Sequence, residues 1–116
     1  MFRRLRNILL LINLVSITLE NLTIQSGATM DTGGNSVTIT GEFQNDGTLY
    51  REGGDSFTHT DVDSGTVYYR NTDGSIQDYG TGTDYYNLVI DSQAFTVSAN
   101  LTVAGGLTIS GAGTGS

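Results

Sequence analysis

The chain has 116 residues, a length suited to one domain, and Gly, Ser, Thr, Asn and Asp supply just over half of them. It contains no Cys, Pro, Trp or Lys, which excludes disulfide frameworks, thiolate metal sites, thiol catalysis and lysine-dependent phosphate or Schiff-base chemistry. Its formal net charge of −7 is unevenly distributed: three of the five Arg lie in the first six residues and all twelve acidic residues lie at or after Glu20, so the body repels nucleic acid.

The first segment, residues 1–19, opens with Arg3, Arg4 and Arg6, continues through an apolar run from Ile8 to Val15 broken by Asn13, and then turns polar. This is the layout of a secretory signal peptide, and it is shorter than the ~20 apolar residues that span a bilayer. Leu14-Val15-Ser16 places a large residue where a cleavage site prefers a small one. The competing expectation is a cap helix with Leu5, Ile8, Leu9 and Ile12 on one face. Residues 1–19 are therefore expected as a signal-like or capping segment, and 20–116 as a β domain or a piece of a longer array.

From Ile17 the apolar residues alternate with polar ones, as successive strand side chains do. In chain order the expected strands carry Leu22 and Ile24; Val37, Ile39 and Phe43; Leu49; Phe57; Val67 and Tyr69; Tyr86, Leu88 and Ile90; Phe95, Val97, Leu101 and Val103; and Leu107 and Ile109. Glycine- and asparagine-rich turns separate them. Leu, Ile, Val and Phe make up only about one fifth of residues 20–116, too few to fill two facing sheets well but enough for a thin column. Asn-Leu-x-(Ile or Val) occurs at Asn21, Asn87 and Asn100, with a degenerate copy at Gly106, at irregular spacing. The expected fold is all-β, a right-handed parallel β-helix or solenoid with Asn and Thr at its corners. The alternative is an antiparallel β-sandwich, for which Asp46-Gly47 and Asp73-Gly74 are the best hairpin signals.

The stretch NLTIQSGATMDTGGNSVTITGEFQNDGTL resembles a repeat unit of large bacterial secreted and surface β-solenoid proteins of the adhesin-like and autotransporter-like group. The segments YYNLVI and ANLTVAGGLTISGAGT are similar to others in that group. The resemblance implies a parallel β-helix, export to the exterior or cell surface, and a structural or adhesive role without catalysis.

Candidate chemistry is sparse. Asp61 and Asp63, and Asn71 and Asp73, place oxygen side chains at alternate positions of tight turns, as calcium loops do, but neither continues into a complete loop motif. No other cofactor is expected. Asp55, Asp61, Asp63, Asp78 and Asp84 could supply the paired acids of a polysaccharide-degrading enzyme, a further alternative for this fold. His59 stands alone and makes a poor metal ligand. Tyr68, Tyr69, Tyr79, Tyr85 and Tyr86 crowd into a short stretch and could form a platform for sugar rings or a protein, as in a carbohydrate-binding module, or could fill the core. The expected partners are a glycan or protein at a surface, and further copies through the solenoid ends; nucleic acid is not expected.

Overall fold

The computed structural model describes residues 2–5, 9–11, 16–70, 75–80, 82–91, 95–97 and 100–110. The alternating runs form short strands: Phe2–Leu5 (β1), Leu9–Leu11 (β2), Ser16–Leu19 (β3), Asn21–Ile24 (β4), Thr29–Asp31 (β5), Ser36–Ile39 (β6), Phe43–Asn45 (β7), Thr48–Arg51 (β8), Thr66–Arg70 (β9), Ser75–Ile76 (β10), Asn87–Asp91 (β11), Thr96–Val97 (β12) and Leu107–Ser110 (β13). No described residue is helical.

Every pairing among the described strands is parallel, and partners come from consecutive coils. Thr48 pairs with Thr66, 18 positions on, and Thr66 with Asn87, 21 positions on. The largest sheet runs β13-β11-β9-β8-β5-β2; smaller sheets join β1-β4-β7, β3-β6 and β10-β12. The chain is thus an all-β parallel solenoid of about 4 turns. The sandwich alternative is excluded, because its antiparallel pairs are absent among the described strands. Asp46-Gly47 links β7 to β8, which lie in different sheets, so it turns a corner rather than closing a hairpin. Asp73-Gly74 lies outside the described residues.

The N-terminal segment continues the same stack. β1 pairs with β4, β2 with β5 and β3 with β6, so strands on both sides of Leu19 belong to one solenoid. The helical-cap expectation is corrected at Leu5 and Leu9, which are extended; Ile8 and Ile12 lie outside the described residues. Strands win here because the edges of β4 and β5 carry backbone groups that an extended segment satisfies one by one and a helix cannot.

Inside the coils, one residue per rung builds each core column. Met30, Leu49, Val67 and Leu88 stack in register in the largest sheet, each nearly fully buried. Leu22 and Ile24 of β4 and Val37 and Ile39 of β6 fill the column from the other sides, with Phe57 bridged to Val37. Burying each such side chain contributes about 1.5–3 kcal/mol.

The corners are closed by asparagine and glycine. Asn21 Oδ1 accepts the Glu42 N–H at 2.7 Å and Asn87 Oδ1 accepts the Gly106 N–H at 2.9 Å, each reaching the next coil. Buried Asn45 donates its Nδ2 to the Thr66 carbonyl at 3.1 Å and accepts the Gly47 N–H at 3.0 Å. Gly65 sits against this corner with φ of 78°, and a Cβ there would lie 2.2 Å from the Asn45 carbonyl oxygen.

Gly54 also has a positive φ, 87°, but an added Cβ would meet nothing within 4 Å. Gly54→Ala should therefore cost only the backbone strain, about 1–2 kcal/mol, in urea unfolding. Gly65→Ala adds overlap with the neighbouring coil and should cost about 3 kcal/mol or more. Equal losses at the two positions would contradict the stacked corner.

Candidate functional site

The five singled-out tyrosines do not share one face. Tyr69 alternates with Tyr68 in β9 and points inward, where it and Tyr85 are fully buried; Tyr79 is packed against the same core. Tyr68 points outward and Tyr86 is half-buried. The three inward rings meet edge to face, with centroids 6.3 Å apart for Tyr69–Tyr85 and 5.7 Å for Tyr79–Tyr85.

They surround a residue that the sequence reading passed over. Arg51 ends β8, pairs with Tyr69 in the next coil and has a fully buried side chain. Its guanidinium meets the Asp55 carboxylate at 2.9 Å and donates to the Asp55 carbonyl at 3.0 Å, to Tyr79 Oη at 2.9 Å and to Gln77 Oε1. Asp55 is further held by the Thr32 hydroxyl at 2.8 Å. Gln77 substitutes for a strand rung: its Oε1 accepts the Phe57 N–H and its Nε2 donates to the Phe57 carbonyl, both at 3.1 Å. Tyr85 Oη donates to the Gln77 carbonyl at 2.6 Å. Burial opposes the Arg51 charge, but Tyr69, Tyr79, Asp55 and Tyr85 together hold it firmly protonated. Burial raises the Tyr69, Tyr79 and Tyr85 hydroxyls above their ordinary range, and the Arg51 charge only partly offsets this.

On the outer face of the largest sheet, Thr29, Thr48 and Thr66 align in one column, and Asp31, Tyr50 and Tyr68 in the next. The Tyr50 and Tyr68 rings lie 5.1 Å apart, and the Arg70 guanidinium sits 4.1 Å from the Tyr50 ring centre while pairing with Asp31. Tyr68 Oη donates to Asp91 at 2.9 Å. Its hydroxyl is raised chiefly by that bond to a carboxylate. Tyr50 was not among the expected platform residues, although its 18-residue offset from Tyr68 carries the signal.

The candidate carboxylates separate into two kinds. Asp55 is locked to Arg51, and buried Asp84 accepts the Tyr79 and Thr102 N–H groups, each at 2.8 Å. Asp78 accepts the Gly80 N–H in a turn. Asp61 and Asp63 instead line a groove of about 710 Å³ with Asn21, Thr23, Glu42, Phe43 and Val62. The groove opens where residues 60–63 fail to add a strand to β7, and Asp61 Oδ2 takes the Asn45 N–H at 2.8 Å in place of one. Burial works against the Asp61 carboxylate, but bonds from Asp63, the Asn45 amide and Ser64 outweigh it and hold its carboxyl below the usual range. Asp63 is raised by the bond to Asp61 and the repulsion between the two carboxylates.

Asn71 and Asp73 lie outside the described residues. Among the described residues no group of three or more His, Asp or Glu side chains converges as a metal ion would require. His59 Nδ1 is 3.0 Å from the Thr58 hydroxyl at the surface. No protein-family model, curated protein or solved structure matches the chain.

Arg51→Ala would leave Asp55 buried without its cation and should cost about 3–5 kcal/mol in urea unfolding. Arg51→Lys should not restore stability, because an ammonium cannot reproduce the planar fork. A loss within about 0.5 kcal/mol would contradict the knot. The raised tyrosines give a pH prediction. Their folded values exceed the unfolded value of about 10, so the stability from keeping them protonated is complete below pH ~10 and falls as pH rises beyond it. Tyrosinate absorbance from these residues should appear together with loss of strand circular dichroism; ionisation of all six tyrosines in the intact fold would contradict the burial.

Proposed function

We propose that this chain is a non-catalytic structural or adhesive segment of a secreted or cell-surface β-solenoid protein, of the adhesin-like and autotransporter-like kind. The supporting observation is the outer face of the largest sheet, where threonine and tyrosine columns run across consecutive coils. A flat ladder of hydroxyls and aromatic rings suits contact with a glycan or protein surface, since tyrosine offers apolar area with a polar tip. Asp31, Arg70 and Asp91 hold these rings in place, so they are ordered before contact and lose little entropy on binding.

A second reading, a carbohydrate-binding module, is favoured by the groove, where Phe43 and Val62 stand beside Glu42 and Asp63. A hydrolytic role fits less well. The Asp61 and Asp63 carboxyl groups lie within hydrogen-bond reach of each other, whereas a glycosidase needs carboxyl groups about 5 Å or more apart, flanking a bond.

Glycan-array binding separates these readings. For the outer-face reading, Tyr50→Ala/Tyr68→Ala should weaken binding roughly tenfold or more while Glu42→Gln/Asp63→Asn leaves it unchanged. The reverse pattern would move the site to the groove. Release of reducing ends from any polysaccharide, lost in Asp61→Asn, would overturn the non-catalytic reading.

A further inference from the structure

The sheet β1-β4-β7 stops at β7, in the middle of the chain, because residues 60–63 of the next coil form no strand beside it. Leu22 N–H donates to the Glu42 carbonyl at 3.0 Å and Asp46 N–H to the Ile24 carbonyl at 2.7 Å. In a parallel ladder that pattern turns the backbone groups of Gln44 toward β4, and the N–H and C=O of Phe43 and Asn45 away from it. Asn45 is already served, since its N–H donates to Asp61 Oδ2 at 2.8 Å and its carbonyl accepts the Ser64 hydroxyl at 3.0 Å. Residues 60–63 make no such bond to Phe43. The Phe43 ring follows Leu22 in the inward column and meets the Phe57 ring edge to face at 5.0 Å, yet it stays half-buried and lines the groove. Val62, on the stretch that skips the next rung, lines the same groove and is 39% exposed.

We propose that this groove docks an extended segment of a partner protein, alternating basic and apolar residues, which adds to β7 as the missing strand. Such a segment carries a donor and an acceptor at the spacing that the Phe43 C=O and N–H require, as in strand addition at other open sheet edges. One of its apolar side chains then falls in the inward column above Phe43 and beside Val62, where a regular stack would place a core residue. The residues before and after it point to the opposite face, beside exposed Glu42. Charge sets what those residues are. Glu42, Asp61 and Asp63 line the groove, and no cation among the described residues does. Arg51 is held by Asp55 and Arg70 by Asp31, so neither is at hand to neutralise it. Lysine or arginine flanking the apolar residue is therefore drawn in, and an acidic segment is repelled.

The inference goes beyond the outer-face reading and stands independently of it. The test uses the full chain and a short capped peptide that alternates lysine and valine, followed by fluorescence anisotropy and by amide hydrogen exchange. The expected result is saturable binding that weakens with salt and slows exchange of the Phe43 amide. A peptide with glutamate in place of lysine, or with methylated backbone nitrogens, should bind weaker by roughly tenfold or more. Glu42→Gln/Asp63→Asn should weaken binding of the lysine peptide roughly tenfold. Val62→Lys, which places a cation in the groove, should do about the same. All three side chains are exposed, so both variants should melt near the parent. Tyr50→Ala/Tyr68→Ala, on the outer face, should leave peptide binding unchanged, which separates a failure here from a failure of the outer-face reading. Absence of saturable binding, equal binding of the glutamate or methylated peptide, or indifference to both groove variants would overturn the proposal. So would protection of the Phe43 amide by a neutral oligosaccharide but not by the peptide.

Discussion

Parallel stacking of consecutive coils is the constraint on which everything else in this molecule depends. A strand in such a stack finds no hydrogen-bond partner within its own coil; its N–H and C=O groups are satisfied only by the coils before and after it. Each coil must therefore keep the shape of its neighbours. Side chains that face the same way must suit each other along a whole column, so Met30, Leu49, Val67 and Leu88 form one ladder and Thr29, Thr48 and Thr66 another. The corners must also superpose, which accounts for Asn45 and Gly65 in close contact across coils.

Where the stack departs from regularity, polar chemistry restores the lost bonds. The coil that contains Asp55 to Ser64 makes few strand pairs: Phe57 forms a single bridge and residues 60–63 form none. Gln77 supplies the missing rung to Phe57, and Asp61 supplies the missing acceptor to Asn45. The buried Arg51 lies at the same irregular level and ties β8 to Asp55, Gln77 and Tyr79. A buried ion pair contributes little net stability compared with an apolar core, but removing one partner is costly, so the knot fixes the path of this coil. The groove beside Asp61 is the outward consequence of the same irregularity.

The solenoid was legible from the alternation, the glycine corners and the low aliphatic count, because these follow from local side-chain geometry. The coil length was not. The repeated Asn-Leu phrase fell in different sheets: Asn21 begins β4, Asn87 begins β11, and Asn100 precedes the bridge from Val103 to Tyr85. Only the degenerate copy at Gly106-Leu107 stacks on Asn87-Leu88. A better signal lay in Ser16-Ile17-Thr18, Ser36-Val37-Thr38 and Ser56-Phe57-Thr58, whose spacing matches one turn of the solenoid. The tyrosine cluster divides between core and surface for a related reason. Closeness in sequence says nothing about face, and alternation sends Tyr68 out and Tyr69 in, while Tyr50 joins Tyr68 only through the stack. Arg51 was illegible because nothing local distinguishes a buried arginine from a solvated one; Asp55, Gln77 and Tyr79 reach it only after folding.

The central claim, that consecutive coils stack in parallel with one residue per rung in the column from Met30 to Leu88, is tested most directly by methyl-labelled nuclear magnetic resonance of the purified chain. Through-space contacts should link Met30 to Leu49, Leu49 to Val67, Val67 to Leu88 and Leu88 to Leu107 in that order, with none skipping a rung. Close Hα–Hα contacts between neighbouring strands, which antiparallel pairs produce, or methyl contacts that break this order, would contradict it.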